Sequence, residues 1–165
     1  MRKNNLTTIP TRKHLKKFLL RYYDTREPVM IDNHTSLGRA VLSALVLKMQ
    51  YVPDGHDHND TLQLQLSSRV TERTLRTKQL ITINNHLDEM FEEALITWIH
   101  AQGTEGVNPN LACKSFLSFF KIEESEYSYD AAYKRWQRFK TRAAEKLKKN
   151  QRKCPKKPAK VSGRK

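Results

Sequence analysis

No run of apolar residues in this chain of 165 approaches the roughly 20 that a membrane-spanning helix needs. The opening "MRKNNLTTIPTRKHLKKFLL" is charged where a secretory leader would be apolar, so a soluble cytoplasmic protein, without a membrane partner, is expected. There are only 2 cysteines, Cys113 in an apolar helical stretch and Cys154 in a basic tail, contexts too unlike for a disulfide or a metal knuckle. Both read as free thiols. The 5 glycines, Gly38, Gly55, Gly103, Gly106 and Gly163, form no phosphate-binding fingerprint, which argues against an NTPase. His14, His34, His86 and His100 fall on separate elements with no nucleophile and base at a workable spacing. Neither a catalytic set nor a cofactor is expected, and the protein reads as a non-enzyme.

Acid is missing from the last 18 residues altogether. Residues 1–79 carry 14 basic and 7 acidic side chains (+7), 80–130 carry 2 and 9 (−7), 131–147 carry 6 and 1 (+5), and 148–165 carry 9 and none (+9). The formal net charge of +14 is therefore concentrated at one end, a distribution suited to a polyanion.

The pattern predicts an α+β fold, mostly helical: a small N-terminal sheet with two helices (1–79), a three-helix unit of helix-turn-helix type (80–149), and a disordered basic tail (150–165). Length alone allows one compact core. In "TRKHLKKFLLRYY", Thr11 could cap a helix whose apolar positions are Leu15, Phe18, Leu19 and Tyr22. "PVMI" reads as a short strand. Thr35 or Asn33 would cap a second helix burying Leu37, Ala40, Val41, Ala44 and Leu45, and "DTLQLQLSS" alternates as a strand should. That strand would pair with "NLTTI" or "PVMI".

After a polar connection at 70–79, Leu87, Met90, Phe91, Ala94, Leu95 and Trp98 share one helix face. Asp88, Glu89, Glu92 and Glu93 would sit early, where the helix dipole favours acid, and Gly103 would end the helix. Asn108 followed by Pro109 is a start signal for the next helix. "EESEYS" then leads to Ser128, the expected cap of the last helix.

In that last helix Tyr129, Ala132, Trp136, Phe139, Ala143 and Leu147 fall within an arc of roughly 80°, the width of a core-facing stripe. Lys134, Gln137, Arg138 and Thr141 point the other way, flanked by Arg135 and Arg142. Arg and Lys can pair with guanine edges, Gln with adenine, and Thr with a phosphate or a thymine methyl, so these six side chains are the expected duplex-DNA contacts. Tyr133, on the shoulder, is the candidate for a base or sugar contact. The other aromatics are better explained as core, being at helical spacing. Lys148, Lys149, Arg152, Lys153, Lys156 and Lys157 would add affinity without reading sequence, by releasing counterions from phosphates. RNA is the second polyanion such a tail would serve. A helix of this kind often reads paired half-sites as a homodimer. An adaptor that docks a basic partner on the acidic 80–130 segment is the competing expectation. "DGHDHND", with His56, Asp57, His58 and Asp60, holds metal-ligand residue types, but its Gly, Asn and Asp content is that of a surface turn, so no metal site is expected.

"LACKSFLSFFKIEESEYSYDAAYKRWQRFK" resembles the carboxy-terminal part of small uncharacterised proteins of bacterial phages and mobile elements, where an apolar helix, an "EES"-type connector and a "YDAAYKRWQRFK"-type helix follow in order. The resemblance covers the last third of the chain. It implies DNA handling in a mobile-element setting and assigns no functional residue.

Overall fold

The computed structural model describes residues 5–32, 34–46, 60–66 and 77–153. In chain order these form β1 (Asn5–Thr11), α1 (Lys13–Tyr22), β2 (Val29–Met30), α2 (Ser36–Val46), β3 (Asp60–Leu66), α3 (Thr77–Thr104), α4 (Pro109–Phe119) and α5 (Tyr129–Lys153). The α+β, mostly helical class is as the periodicity predicts. The strand order is β1-β3-β2, with β3 antiparallel to β1 and parallel to β2, so the "DTLQLQL" strand pairs with both of its predicted partners. Leu62 and Leu64 turn inward from it onto the helices, with Ile9 and Val29 beside them.

The two predicted units do not have separate cores. Phe18 of α1, Phe91 of α3 and Phe116 of α4 are fully buried against one another, with Phe18 edge-on to Phe91 at 5.4 Å between centroids and Phe91 edge-on to Phe116 at 5.5 Å. One continuous apolar cluster runs from Ile9 to Trp136, so the boundary expected near residue 79 falls inside a single packed body. The area removed from water by these rings outweighs any local preference for two small cores, each of which would bury too little to be stable.

Several local expectations need correcting. Thr11 does not cap α1; it ends β1, and its hydroxyl donates to Asn84 Oδ1 at 2.8 Å. Asn84, itself buried, donates in turn to the Pro10 carbonyl at 2.8 Å, which ties β1 to α3. Tyr22 is exposed and not a core residue. Helix α3 starts at Thr77, inside the polar connection expected at 70–79, because Leu80 and the buried Ile83 continue its apolar face upstream. Asp88 to Glu93 are consequently mid-helix and owe nothing to the dipole. Ala44 and Leu45 lie in α2, and their side chains fall outside the described residues. The predicted caps Thr35, Asn108 and Ser128 do accept backbone N–H bonds, from Gly38 at 2.9 Å, Asn110 at 2.9 Å and Ala131 at 3.2 Å.

Gly106, at φ +79°, ends α3 in place of Gly103: the Val107 N–H reaches back to the Gln102 carbonyl at 3.0 Å and the Gly106 N–H to Gly103 at 3.1 Å. Helix α4 ends in the same way, with Ile122 bonded to Leu117 at 2.9 Å, but Lys121 holds the left-handed position at φ +55°. Side chains disfavour that conformation by about 1–2 kcal/mol, and glycine does not. Opposite signs are expected in urea denaturation: Gly106→Ala lowers stability by about 1 kcal/mol, and Lys121→Gly raises it by about 0.5 kcal/mol.

Candidate nucleic-acid interface

Helix α5 is anchored through its first half. Its free backbone donors are met by Ser128 and by the Glu124 carboxylate, which accepts the Tyr129 N–H at 3.0 Å. Ala132 and Trp136 are buried, His100 of α3 stands edge-on to Trp136 at 4.9 Å, and Tyr129 and Asn110 are hydrogen bonded. Beyond Ala143 the helix outruns the body. Leu147, on the expected core stripe, is 64 % exposed, and every side chain from Ala144 to Lys149 is exposed with it.

The outward side chains Lys134, Gln137, Arg138, Thr141, Arg142, Lys148 and Lys149 are exposed along one stripe. The Thr141 hydroxyl donates to the Gln137 carbonyl at 3.1 Å and can turn from it to a phosphate. Arg152 and Lys153 lie in α5 with side chains outside the described residues; Lys156 and Lys157, and the rest of the predicted disordered tail from Cys154 on, lie outside them altogether. So do His56, Asp57 and His58, whereas Asp60 pairs with Lys16 at 3.4 Å and accepts the Thr61 N–H at 2.7 Å. Among the described residues, no group of three His, Cys, Asp or Glu could hold a metal ion, and no helix is long and apolar enough to cross a membrane.

Two predicted contacts are placed otherwise. Tyr133 is half-buried and stacks on Tyr129 with 6.2 Å between centroids. Arg135 is 18 % exposed and turned inward: its Nη2 donates to both oxygens of Asp88 at 2.8 and 3.0 Å, its Nη1 lies 3.5 Å from Glu92, and its guanidinium stands over the Phe91 and Tyr127 rings. At the edge of the core stripe, a side chain as long as arginine can reach either way, and the carboxylates decide.

Asp88 also accepts from Arg12 at 2.8 Å. The His14 ring is buried next to this group, packed on Tyr127 at 4.6 Å and Phe91 at 5.4 Å. Burial, helped by the Arg12 charge, lowers its pKa from 6.5 to about 4, and burial pushes the Tyr127 hydroxyl up to about 12. Nearby, Glu126 has only 3 % of its side chain exposed and takes Lys13 at 2.8 Å and Lys17 at 2.7 Å. Burial alone would raise its pKa, but hydrogen bonds from the two lysines outweigh that and bring it to about 2. None of this was legible beforehand: Arg12 and Asp88 are 76 residues apart, and neither follows a pattern. Cys113 is buried, and its thiol is pushed up to about 11, so it is unreactive; Cys154 lies outside the described residues.

The cations of α1 and those of the outer face of α5 are treated differently. Arg12, Lys13, Lys16 and Lys17 all meet carboxylates of the body. Among the described residues, Lys134, Arg138, Lys140, Arg142, Lys146, Lys148 and Lys149 make no ion pair. Three acids of the 80–130 segment serve as counterions of the N-terminal half, Asp88 for Arg12, Glu126 for Lys13 and Lys17, and Glu123 for Lys17, while Glu92 and Asp88 meet Arg135 of α5. No family model, curated protein or solved structure matches the chain.

Asp88→Ala leaves the Arg12 guanidinium without its counterion and Arg135 with only Glu92 at 3.5 Å, and should cost about 3 kcal/mol in urea denaturation, against less than about 0.5 for the exposed Arg138→Ala. Acid should act through His14. A base whose folded pKa lies below its unfolded value contributes stability that is complete above about 6.5 and is lost as pH falls towards about 4, here about 3 kcal/mol. His14→Phe should abolish the loss between pH 6.5 and 5, leaving the Glu126 contribution, which fades only below about 4.5.

Proposed function

We propose that this chain is a non-catalytic duplex-DNA-binding protein of a bacterial phage or mobile element, acting in the host cytoplasm through the outward face of α5 and the basic segment after it. The observation that carries this reading is the division of charge. The surplus of residues 1–79 and the deficit of 80–130 are equal and opposite, +7 against −7, and Arg12, Lys13 and Lys17 pair directly with Asp88, Glu123 and Glu126, so the net +14 is that of residues 131–165. A field of one sign on one projecting helix raises the local concentration of a polyanion and favours counterion release.

Duplex is favoured over single strands by what the stripe lacks. Single-stranded DNA and RNA are held by bases stacked on aromatic faces, and here Trp136 is buried while Tyr133 and Phe139 pack on the body. The mode differs from a helix-turn-helix in one respect. That motif presents the N-terminal residues of its second helix to the groove, whereas the first turn of α5 is held on the body and its outward stripe begins at Lys134 and runs to Lys149. Residues 120–128 also make a longer link between α4 and α5 than a tight turn. The groove contacts are Lys134, Gln137, Arg138, Thr141 and Arg142, with Lys148 and Lys149 on phosphates. The phage or mobile-element setting rests on the resemblance of residues 111–140 alone.

Fluorescence anisotropy of labelled duplex DNA over a salt titration tests this, with the full chain and a version ending at Lys153. Both forms should bind, the shorter one with a flatter salt slope. The five cations Lys134, Arg138, Arg142, Lys148 and Lys149 account for a slope of up to about −4.5 in log K against log salt. Arg138→Ala should weaken a preferred site by about 1–3 kcal/mol. Loss of all binding on removal of the tail, or equal loss on every sequence in Arg138→Ala, would refute groove contact by α5.

A further inference from the structure

On the side of α3 away from α5 lies an apolar groove of about 530 Å³, floored by Met90, Ala94, Trp98, Phe116 and Phe120. Its size is that of a ligand or helix seat, and Glu93 stands on its rim with Glu89 one turn away, 76 % exposed. The chain's own α5 cannot fill it. That helix meets α3 at Asp88, Glu92 and His100, and Met90 and Ala94 are each two residues on, roughly 200° around the axis.

A complementary surface is present on the same molecule. The projecting end of α5 exposes Leu147 with Ala143 one turn before it, and Lys140 lies on the same side, seven residues away. Leu147 is nine residues from Arg138, or roughly 180° around the helix, so this side is separate from the DNA-facing stripe. We infer that the groove receives the projecting end of α5 from a second copy of this chain, Leu147 seating on the Met90–Trp98 floor and Lys140 meeting the Glu93 rim. Charge complementarity selects this occupant: the groove's rim is acidic, and the projecting apolar side chain is bordered by a lysine that makes no ion pair among the described residues. A two-fold arrangement, in which each copy lends its helix to the other, closes the pair and avoids an open chain of subunits. It would also hold two DNA-facing stripes in a fixed relation, though the contact does not depend on DNA binding.

Sedimentation equilibrium of the nuclease-treated full chain over a concentration series, without nucleic acid, is the test. A concentration-dependent dimer is expected. Leu147→Gln, which alters an exposed side chain and leaves the monomer folded, should raise the dimer Kd at least tenfold, about 1.4 kcal/mol. Glu93→Lys and Lys140→Glu should each weaken the dimer, and the double variant should regain most of the loss because the charges meet again with signs exchanged. A chain that stays monomeric throughout overturns the proposal. So does a dimer indifferent to Leu147→Gln, which places the interface elsewhere, or a double variant no better than either single one.

Discussion

Two guanidinium groups from opposite ends of the chain converge on the carboxylate of Asp88, Arg12 from the start of α1 and Arg135 from α5, both at 2.8 Å. Neither arginine could be half-buried without it, since a guanidinium removed from water with no counterion costs several kcal/mol. The position of α5 depends on this arrangement as much as on apolar burial. Ala132 and Trp136 hold the helix on the body, and a stripe of small and aromatic residues tolerates some rotation. A bidentate contact at residue 135 does not. It fixes the rotation of α5 and thereby the direction in which Lys134, Arg138 and Arg142 project.

The same pair resolves an apparent conflict in the charge pattern. Seven surplus negative charges between residues 80 and 130 look ill suited to a chain that approaches DNA, and they suggest a docking surface for a basic partner. Folding takes part of them out of play, while Glu89, Glu93, Glu105 and Asp130 stay exposed. Asp88, Glu92, Glu123 and Glu126 meet cations of α1 or α5, and Glu124 meets the free N–H of Tyr129. Acid on α3 and on the α4–α5 connection is then what lets a lysine-rich α1 pack on the body. The surface that remains strongly charged is the one that projects.

Much of the fold was legible because burial repeats with the period of the backbone. The apolar faces of α1 and α3, the alternation in β3 and the caps Thr35, Asn108 and Ser128 all follow from spacing or from a local hydrogen bond. What escaped is of two kinds. Strand order, and the burial of Phe18 against Phe91 and Phe116, depend on contacts distant in sequence that no periodicity records. Residues at the edge of a stripe are ambiguous in principle: at one shoulder of α5 Arg135 turns in, at the other Tyr133 stacks on Tyr129, and only the neighbours' chemistry decides. The candidate interface was therefore readable on its outward centre and misread at both edges.

Leu147 shows a further limit of the same logic. Periodicity places it with Trp136 and Phe139, and on the helix surface that placement is right; what periodicity cannot supply is where the supporting layer ends. A helix that keeps its apolar stripe after leaving its own body still carries a surface complementary to apolar neighbours, whereas one that turned wholly polar would carry none. The exposed leucine and the exposed cations then belong to one design. On the readings proposed above, the anchored half of α5 sets direction, and the projecting half offers one face to phosphates and the opposite face to a second copy of the chain. A substitution of an inward anchor such as Ala132 or Trp136 therefore acts on stability and on the direction of the helix together, while one of an exposed side chain acts on a single contact and leaves the fold as it was.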